Sequence, residues 1–146
     1  MIRVIALSII IALFSGCKDS DNEEVIPYVQ FYGHIYLSDP YYLNPPFIAH
    51  TDMNYNTLGI NGVVVYKLTS DSYYAYDLVC PYEKSTAALV KIDPKDDGHV
   101  VCPKCGSTYS ISGGYGDIVK GPSKYPLKAY STQYEASDNT LAIWNQ

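Results

Sequence analysis

Three of the four cysteines in this chain lie in two short segments that could hold a metal ion. The sequence reads Cys-Pro-Tyr at residues 80–82 and Cys-Pro-Lys-Cys-Gly at residues 102–106. Two thiols separated by two residues can chelate one metal ion from a tight turn, or they can close a small disulfide. Cys80, Cys102 and Cys105 together offer three soft sulfur ligands, which favour zinc or an iron–sulfur centre over calcium or magnesium.

Each cysteine segment follows a predicted strand. Two apolar runs at residues 63–68 and 73–79 predict a β-hairpin, and the second run leads directly to Cys80. A further strand at residues 99–101 leads to Cys102 in the same way. We therefore expect both cysteine segments to open turns at the ends of strands.

The remaining sequence predicts an all-β chain of short strands. The chain has 146 residues, which suggests one domain, and its 16 tyrosines favour pleated surfaces. Its 10 glycines and 9 prolines supply many turns, and only the N-terminal segment shows a helical apolar period. The other predicted strands lie at residues 25–37, 47–53, 88–93, 109–111, 117–119, 127–135 and 140–144.

Charge and motif content exclude several classes of function. The formal net charge is −5 and the lysines are scattered, so we expect no nucleic-acid binding, which requires a basic face. The sequence contains no glycine-rich phosphate loop, no His-Glu-x-x-His motif and no supported Ser/His/Asp arrangement. We therefore expect a domain that is not an enzyme by itself.

The order and spacing of five features resemble the Rieske family. These features are the two Cys-Pro turns, Ser-Thr-Tyr at 107–109, a glycine pair at 113–114, Gly-Pro at 121–122 and Pro-Leu-Lys-Ala-Tyr at 126–130. The resemblance covers residues 60–146 and, more weakly, 25–59. It implies a Rieske-like fold over residues 25–146, with stacked antiparallel sheets and two cysteine loops at strand ends.

The sequence departs from the family at two ligand positions. Rieske centres bind one iron through two cysteines and the other through two histidines. By that resemblance Cys80 and Cys102 match the family cysteines, whereas Tyr82 and Cys105 stand where the family has histidine.

Three interpretations of the cysteine segments stay open at this stage. A [2Fe-2S] cluster could be held by Cys80, Cys102, Cys105 and a fourth group, either Tyr82 or Glu83, at a lower potential than in Rieske centres. Alternatively, Zn²⁺ could be bound by the three thiolates. In the third interpretation no metal binds, and a disulfide stabilises a Rieske-fold binding or scaffolding module.

The N-terminus predicts a lipoprotein. Residues 1–16 contain one arginine, a short apolar core and two small residues before Cys17, which resembles a bacterial lipobox with Cys17 as the lipidated residue. Residues 17–24 form an acidic tether, similar to the surface-export signal of Bacteroidetes-type lipoproteins.

The expected protein is thus a membrane-anchored Rieske-like lipoprotein of the bacterial outer membrane, either periplasmic or on the cell surface. Its membrane contact would be the lipid anchor. Its main expected function is electron transfer through an iron–sulfur centre with an unnamed redox or protein partner. The competing expectation is a cluster-less binding module.

Overall fold

The structure is a computed structural model that describes residues 25–145. It consists of two antiparallel sheets and a single turn of 3-10 helix at Pro40–Tyr42. The strands are β1 (Tyr32–Tyr36), β2 (Phe47–Ala49), β3 (Val63–Lys67), β4 (Tyr73–Asp77), β5 (Lys91–Asp93), β6 (Asp96–Val101), β7 (Thr108–Ser110), β8 (Ile118–Lys120), β9 (Ala129–Glu135) and β10 (Thr140–Trp144).

The first sheet, here called the large sheet, has the strand order β1-β10-β9-β4-β3-β2. Two sequence-local hairpins, β3–β4 and β9–β10, form its centre, and β1 is added by pairing with β10. A short contact between β4 and β9, at Ala75 and Tyr130, joins the two hairpins. The all-β prediction and the predicted hairpin before Cys80 are therefore confirmed.

The second sheet, here called the small sheet, has the order β5-β6-β7-β8. All of its strand pairs are antiparallel and connected in sequence, so it is a meander. The first cysteine segment follows β4 of the large sheet, and the second follows β6 of the small sheet. Both cysteine segments lie at strand ends, as the sequence predicts.

Hairpin β3–β4 is buried on both faces, which explains its continuous apolar sequence. Val63 and Val65 belong to the core of the large sheet, while Val64 and Tyr76 belong to the core of the small sheet. All four side chains have no exposed surface. A strand buried on both sides has no polar face, so it lacks the usual alternation of apolar and polar residues.

Asp77, at the end of β4, connects this strand to β9 and to the loop before β3. Its carboxylate accepts hydrogen bonds from the backbone N–H groups of Ile60 (2.8 Å) and Val79 (2.7 Å) and from the Tyr130 hydroxyl (2.7 Å). The side chain is fully buried, and each of these hydrogen bonds compensates part of its desolvation cost. The chain is thereby fixed three residues before Cys80.

The N-terminal part of the domain is less regular than predicted. The expected strand at residues 25–37 is confirmed only over Tyr32–Tyr36. The proline-rich loop contains the short 3-10 turn, in which the Tyr41 N–H donates to the Asp39 side chain. Within residues 25–145 no helix is long and apolar enough to cross a membrane. The predicted signal peptide, Cys17 and the acidic tether lie outside the described residues.

Candidate metal centre

The two cysteine segments fold into the same backbone turn. In the first cysteine turn (residues 80–84) the Lys84 N–H donates to the Cys80 carbonyl at 2.9 Å. In the second cysteine turn (residues 102–106) the Gly106 N–H donates to the Cys102 carbonyl, also at 2.9 Å. Both turns end on a residue with positive φ, +50° at Lys84 and +75° at Gly106. Position by position, Cys80 corresponds to Cys102, and Glu83 corresponds to Cys105.

The turns bring three sulfur atoms together. The Sγ atoms of Cys80, Cys102 and Cys105, here called the sulfur triad, all lie within 4.8 Å of one another. Cys80 and Cys102 are fully buried, whereas Cys105 is partly exposed at the surface. The sequence prediction that these three cysteines form one site is therefore supported by the geometry.

One sulfur pair of the triad has the spacing of two ligands of one metal ion. The Sγ atoms of Cys80 and Cys105 are 3.7 Å apart, whereas a disulfide bond is about 2.05 Å long. Tetrahedral Zn–S bonds of about 2.3 Å place two sulfurs about 3.8 Å apart. All three thiols are free in the structure.

Neighbouring hydroxyl groups hold the sulfur atoms in place. The Tyr109 hydroxyl lies 3.3 Å from the Cys80 Sγ, and both groups are buried. The Cys105 thiol donates to the Ser107 Oγ at 3.2 Å, and the Ser107 N–H donates back to the Cys105 sulfur at 3.5 Å. Tyr109 on β7 thus contacts the Cys80 sulfur, and Ser107, just before β7, contacts the Cys105 sulfur.

The thiols differ in acidity because their surroundings differ. Burial raises the pKa of Cys102 to about 11. Burial also acts on Cys105, but its hydrogen bonds with Ser107, Cys102 and Cys80 together outweigh burial and lower the pKa of that thiol. The pKa of Tyr109 is raised by burial and by its contact with Cys80, so its hydroxyl stays protonated. Of Cys102 and Cys105, Cys105 is therefore the thiol that ionises more easily.

A third segment, here called the Gly-Pro loop (residues 121–125), packs against Ser107, the residue that follows the second cysteine turn. The Ser123 N–H donates to the Ser107 Oγ at 3.1 Å. A Cβ atom at Gly121 would collide with the Ser107 Cα and lie 2.9 Å from its backbone nitrogen. Gly121 also has a φ of +102°, so both its conformation and its close approach require glycine.

The two residues proposed from sequence as a fourth ligand have different environments. Tyr82 is 52% exposed and lines a surface hollow beside the turns. The Glu83 side chain is only 13% exposed, and its carboxylate forms an ion pair with Lys104 at 2.6 Å, which links the two cysteine turns. Among residues 25–145, no His, Asp or Glu joins the three cysteines in one ligand cluster.

The histidines are engaged elsewhere. His99 lies on β6, and its Nδ1 pairs with the Asp96 carboxylate at 2.8 Å. His34 is half-exposed on β1, and His50 contacts the Asn61 carbonyl. The donor set near the turns therefore consists of thiols and not imidazoles, and it fits a thiophilic metal or an iron–sulfur group.

Several residues of the site are not recognisable from local sequence patterns. Ser107 and Tyr109 were identified only as part of the family-like segment 107–109, and their sulfur contacts depend on the pairing of β7 with β6. Asp77 carries no motif. The one available signal was an acidic residue inside an otherwise apolar run.

Comparison with known proteins identifies the region that carries these turns. Residues 47–131 match the family described as the Rieske [2Fe-2S] domain, and this match spans more than half of the 146-residue chain. No curated protein matches the chain.

Proposed function

The chain belongs to the Rieske [2Fe-2S] domain family, and on that premise we propose that it is an electron-transfer module with a thiolate-rich iron–sulfur centre. The observation that carries the proposal is the convergence of three Sγ atoms within 4.8 Å at the tips of two equivalent turns. Cys80 and Cys102 occupy the family cysteine positions, and Cys105 replaces one imidazole. When bound, a [2Fe-2S] group supplies one-electron redox chemistry.

The altered ligand set predicts a low reduction potential. Thiolates carry negative charge and stabilise ferric iron, whereas imidazoles are neutral donors. Rieske potentials lie at about −150 to +300 mV, and those of plant-type ferredoxins lie near about −400 mV. We expect this protein to fall toward the ferredoxin value.

The fourth ligand can be assigned with two variants. Glu83 occupies the turn position equivalent to Cys105, and its side chain is largely buried, which favours it over the exposed Tyr82. In this proposal the Glu83 carboxylate would bind iron in place of its ion pair with Lys104. Glu83→Gln should then shift the visible spectrum and the potential, while Tyr82→Phe should leave both unchanged. The opposite result would assign Tyr82.

A second function is favoured by one distance. The 3.7 Å separation between the Cys80 and Cys105 sulfurs suits two ligands of one tetrahedral ion. In that alternative, Zn²⁺ stabilises a cluster-less binding or scaffolding module. The deciding measurement is the content of iron, acid-labile sulfide and zinc in the full chain after anaerobic purification. Two irons and two sulfides per chain support electron transfer, whereas zinc without sulfide, or a colourless chain with a disulfide, overturns it.

We also propose that the protein is a non-enzymatic lipoprotein anchored to a bacterial membrane through Cys17. The support is the apolar segment before Cys17 and the acidic residues after it. Mass spectrometry of the membrane fraction should find a lipidated Cys17, and Cys17→Ser should release the protein. An unmodified Cys17 in the mature protein would contradict the anchor.

A further inference from the structure

The small sheet separates positive from negative charge along its strands. Lys91 pairs with Val101, and Lys120 pairs with Thr108, so both lysines lie at the end that carries the second cysteine turn. The cysteine turns and the Gly-Pro loop add further lysines at this end. The resulting group consists of Lys84, Lys91, Lys104, Lys120 and Lys124, all exposed.

The other end of the same sheet is acidic. Asp93 and Asp96 pair across the β5–β6 turn, and Asp97 is adjacent. The Asp117 carbonyl accepts from the Ser110 N–H, which places Asp117 at this end as well. Lys95 is the one cation of the β5–β6 turn. In a protein of net charge −5, the lysines at the cysteine end are therefore a local feature.

Most of these lysines are available to a partner. Among residues 25–145, only Lys104 of the five forms an ion pair, with Glu83. The two cysteine turns and the Gly-Pro loop contain no other acidic residue. Their positive charge is thus largely uncompensated at the surface, where it attracts negatively charged molecules at distances up to the Debye length.

An apolar hollow beside the first cysteine turn is lined by two of these lysines, Lys84 and Lys124. Its volume is about 120 Å³, and Pro81, the neighbour of Cys80, forms part of its wall. Tyr82 and Tyr125 are 52% and 50% exposed, so their rings are open to a partner. The complete lining is Pro81, Tyr82, Lys84, Pro122, Lys124 and Tyr125. An apolar, aromatic centre with a charged rim is the usual composition of a protein-binding surface.

We propose that this lysine-rimmed hollow docks an acidic electron-carrier protein. The inference rests on the proposed function and adds the class of partner to it. One electron passes between the carrier and the iron–sulfur centre, so one protein is oxidised as the other is reduced and no covalent bond changes. Tyr82 thereby serves in docking, although it stands at a family ligand position.

Charge complementarity decides between possible occupants. The lysines favour a negatively charged partner, and the two tyrosines and two prolines favour a protein surface over a free anion. A second candidate is the acidic segment of this chain, with Asp19, Asp21, Glu23 and Glu24. Val25, which follows that segment, shares a neighbouring hollow with Tyr125. The experiment must therefore separate the carrier from this segment.

The test measures binding, because binding does not require electron transfer. An acidic plant-type ferredoxin is titrated into the full chain by calorimetry at about 20 mM and about 300 mM salt, with a basic cytochrome c as the comparison protein. We expect ferredoxin binding to weaken at least about tenfold at the higher salt. Lys84→Glu with Lys124→Glu should weaken it about tenfold or more, whereas Lys95→Glu at the acidic end should not.

Tyr82→Ser with Tyr125→Ser should weaken binding without changing its salt dependence, because the charges remain. Circular dichroism of each variant verifies folding. Equal loss in the Lys95→Glu control, or equal binding of cytochrome c, would overturn the proposal. The proposal would also be overturned if the ferredoxin bound only after the four acids of residues 19–24 are neutralised, since the chain's own acidic segment would then occupy the hollow. If the anaerobically purified chain contains no iron but still docks the ferredoxin in a salt-dependent way, the electron-transfer function is refuted and the docking surface is not.

Discussion

The two cores of this domain pack against opposite faces of hairpin β3–β4, but they have different contents. Every buried member of the large-sheet core is a hydrocarbon or tyrosine side chain. The small-sheet core includes Cys80 and Cys102 themselves, with Tyr109 packed among them. The large sheet therefore acts as a scaffold, whereas the core of the small sheet is also the wall of the site.

Because the two cores differ in this way, we expect mutations in them to affect function and stability separately. A change at the sulfur triad alters the small-sheet core, which contains Cys80 and Cys102, and leaves the large-sheet core intact. A change at Asp77 acts on the end of β4, where the chain leaves the large sheet toward Cys80. Four predictions follow this division, beginning with the most severe.

Removal of one ligand should abolish metal binding while the large sheet stays folded. Cys105→Ser leaves two thiols, so we expect metal content to fall from full occupancy to nearly none. Hydrogen exchange should become faster in β6 and β7 but not in β3 or β10. Cys17→Ser is the matched control and should retain the metal. Equal loss of protection in both sheets would show that the two cores form one cooperative unit.

Asp77→Ala should cause the largest loss of stability. The substitution leaves the N–H groups of Ile60 and Val79 and the Tyr130 hydroxyl without their acceptor, so we expect a cost of about 3–5 kcal/mol. Urea unfolding measures it. The exposed Asp97→Ala should change stability by less than about 0.5 kcal/mol. A small effect at Asp77 would mean that these three hydrogen bonds contribute little to the stability of the domain.

Two glycine variants test the packing of the Gly-Pro loop. Gly121→Ala should destabilise the domain by about 2–4 kcal/mol, because the new Cβ meets the Ser107 backbone at a φ of +102°. Gly106→Ala has a φ of +75° but nothing within 4 Å, so we expect only about 1–2 kcal/mol. Thermal unfolding of both variants gives the comparison. Similar losses would assign the effect to backbone strain alone.

The smallest expected effect comes from one hydroxyl group. Tyr109→Phe removes the contact with the Cys80 sulfur at 3.3 Å and should cost about 1 kcal/mol. In the iron-loaded protein the potential should also fall, since hydrogen bonds to the sulfurs help to set it. Redox titration measures the shift, with the exposed Tyr115→Phe as control. An unchanged potential would restrict Tyr109 to packing.

Elements with local signals were predictable from the sequence. The β3–β4 hairpin is predicted by two apolar runs around turn formers, and β9 and β10 lie within the strands predicted at residues 127–135 and 140–144. The cysteine spacing identifies the three residues that could hold a metal ion. The pairings of β1 with β10 and β4 with β9 join residues far apart in sequence, so no local pattern encodes them. The role of Asp77 depends on those pairings and was missed for the same reason.

The contact between Gly121 and Ser107 has a consequence for protein engineering. The second cysteine turn cannot be transplanted into a related domain as an independent segment, because Ser107, which directly follows it, packs closely against the backbone of the Gly-Pro loop. The ion pair between Glu83 and Lys104 couples the first turn to the second in the same way. A graft of this donor set would therefore have to carry residues 80–84, 102–107 and 121–123 as one unit.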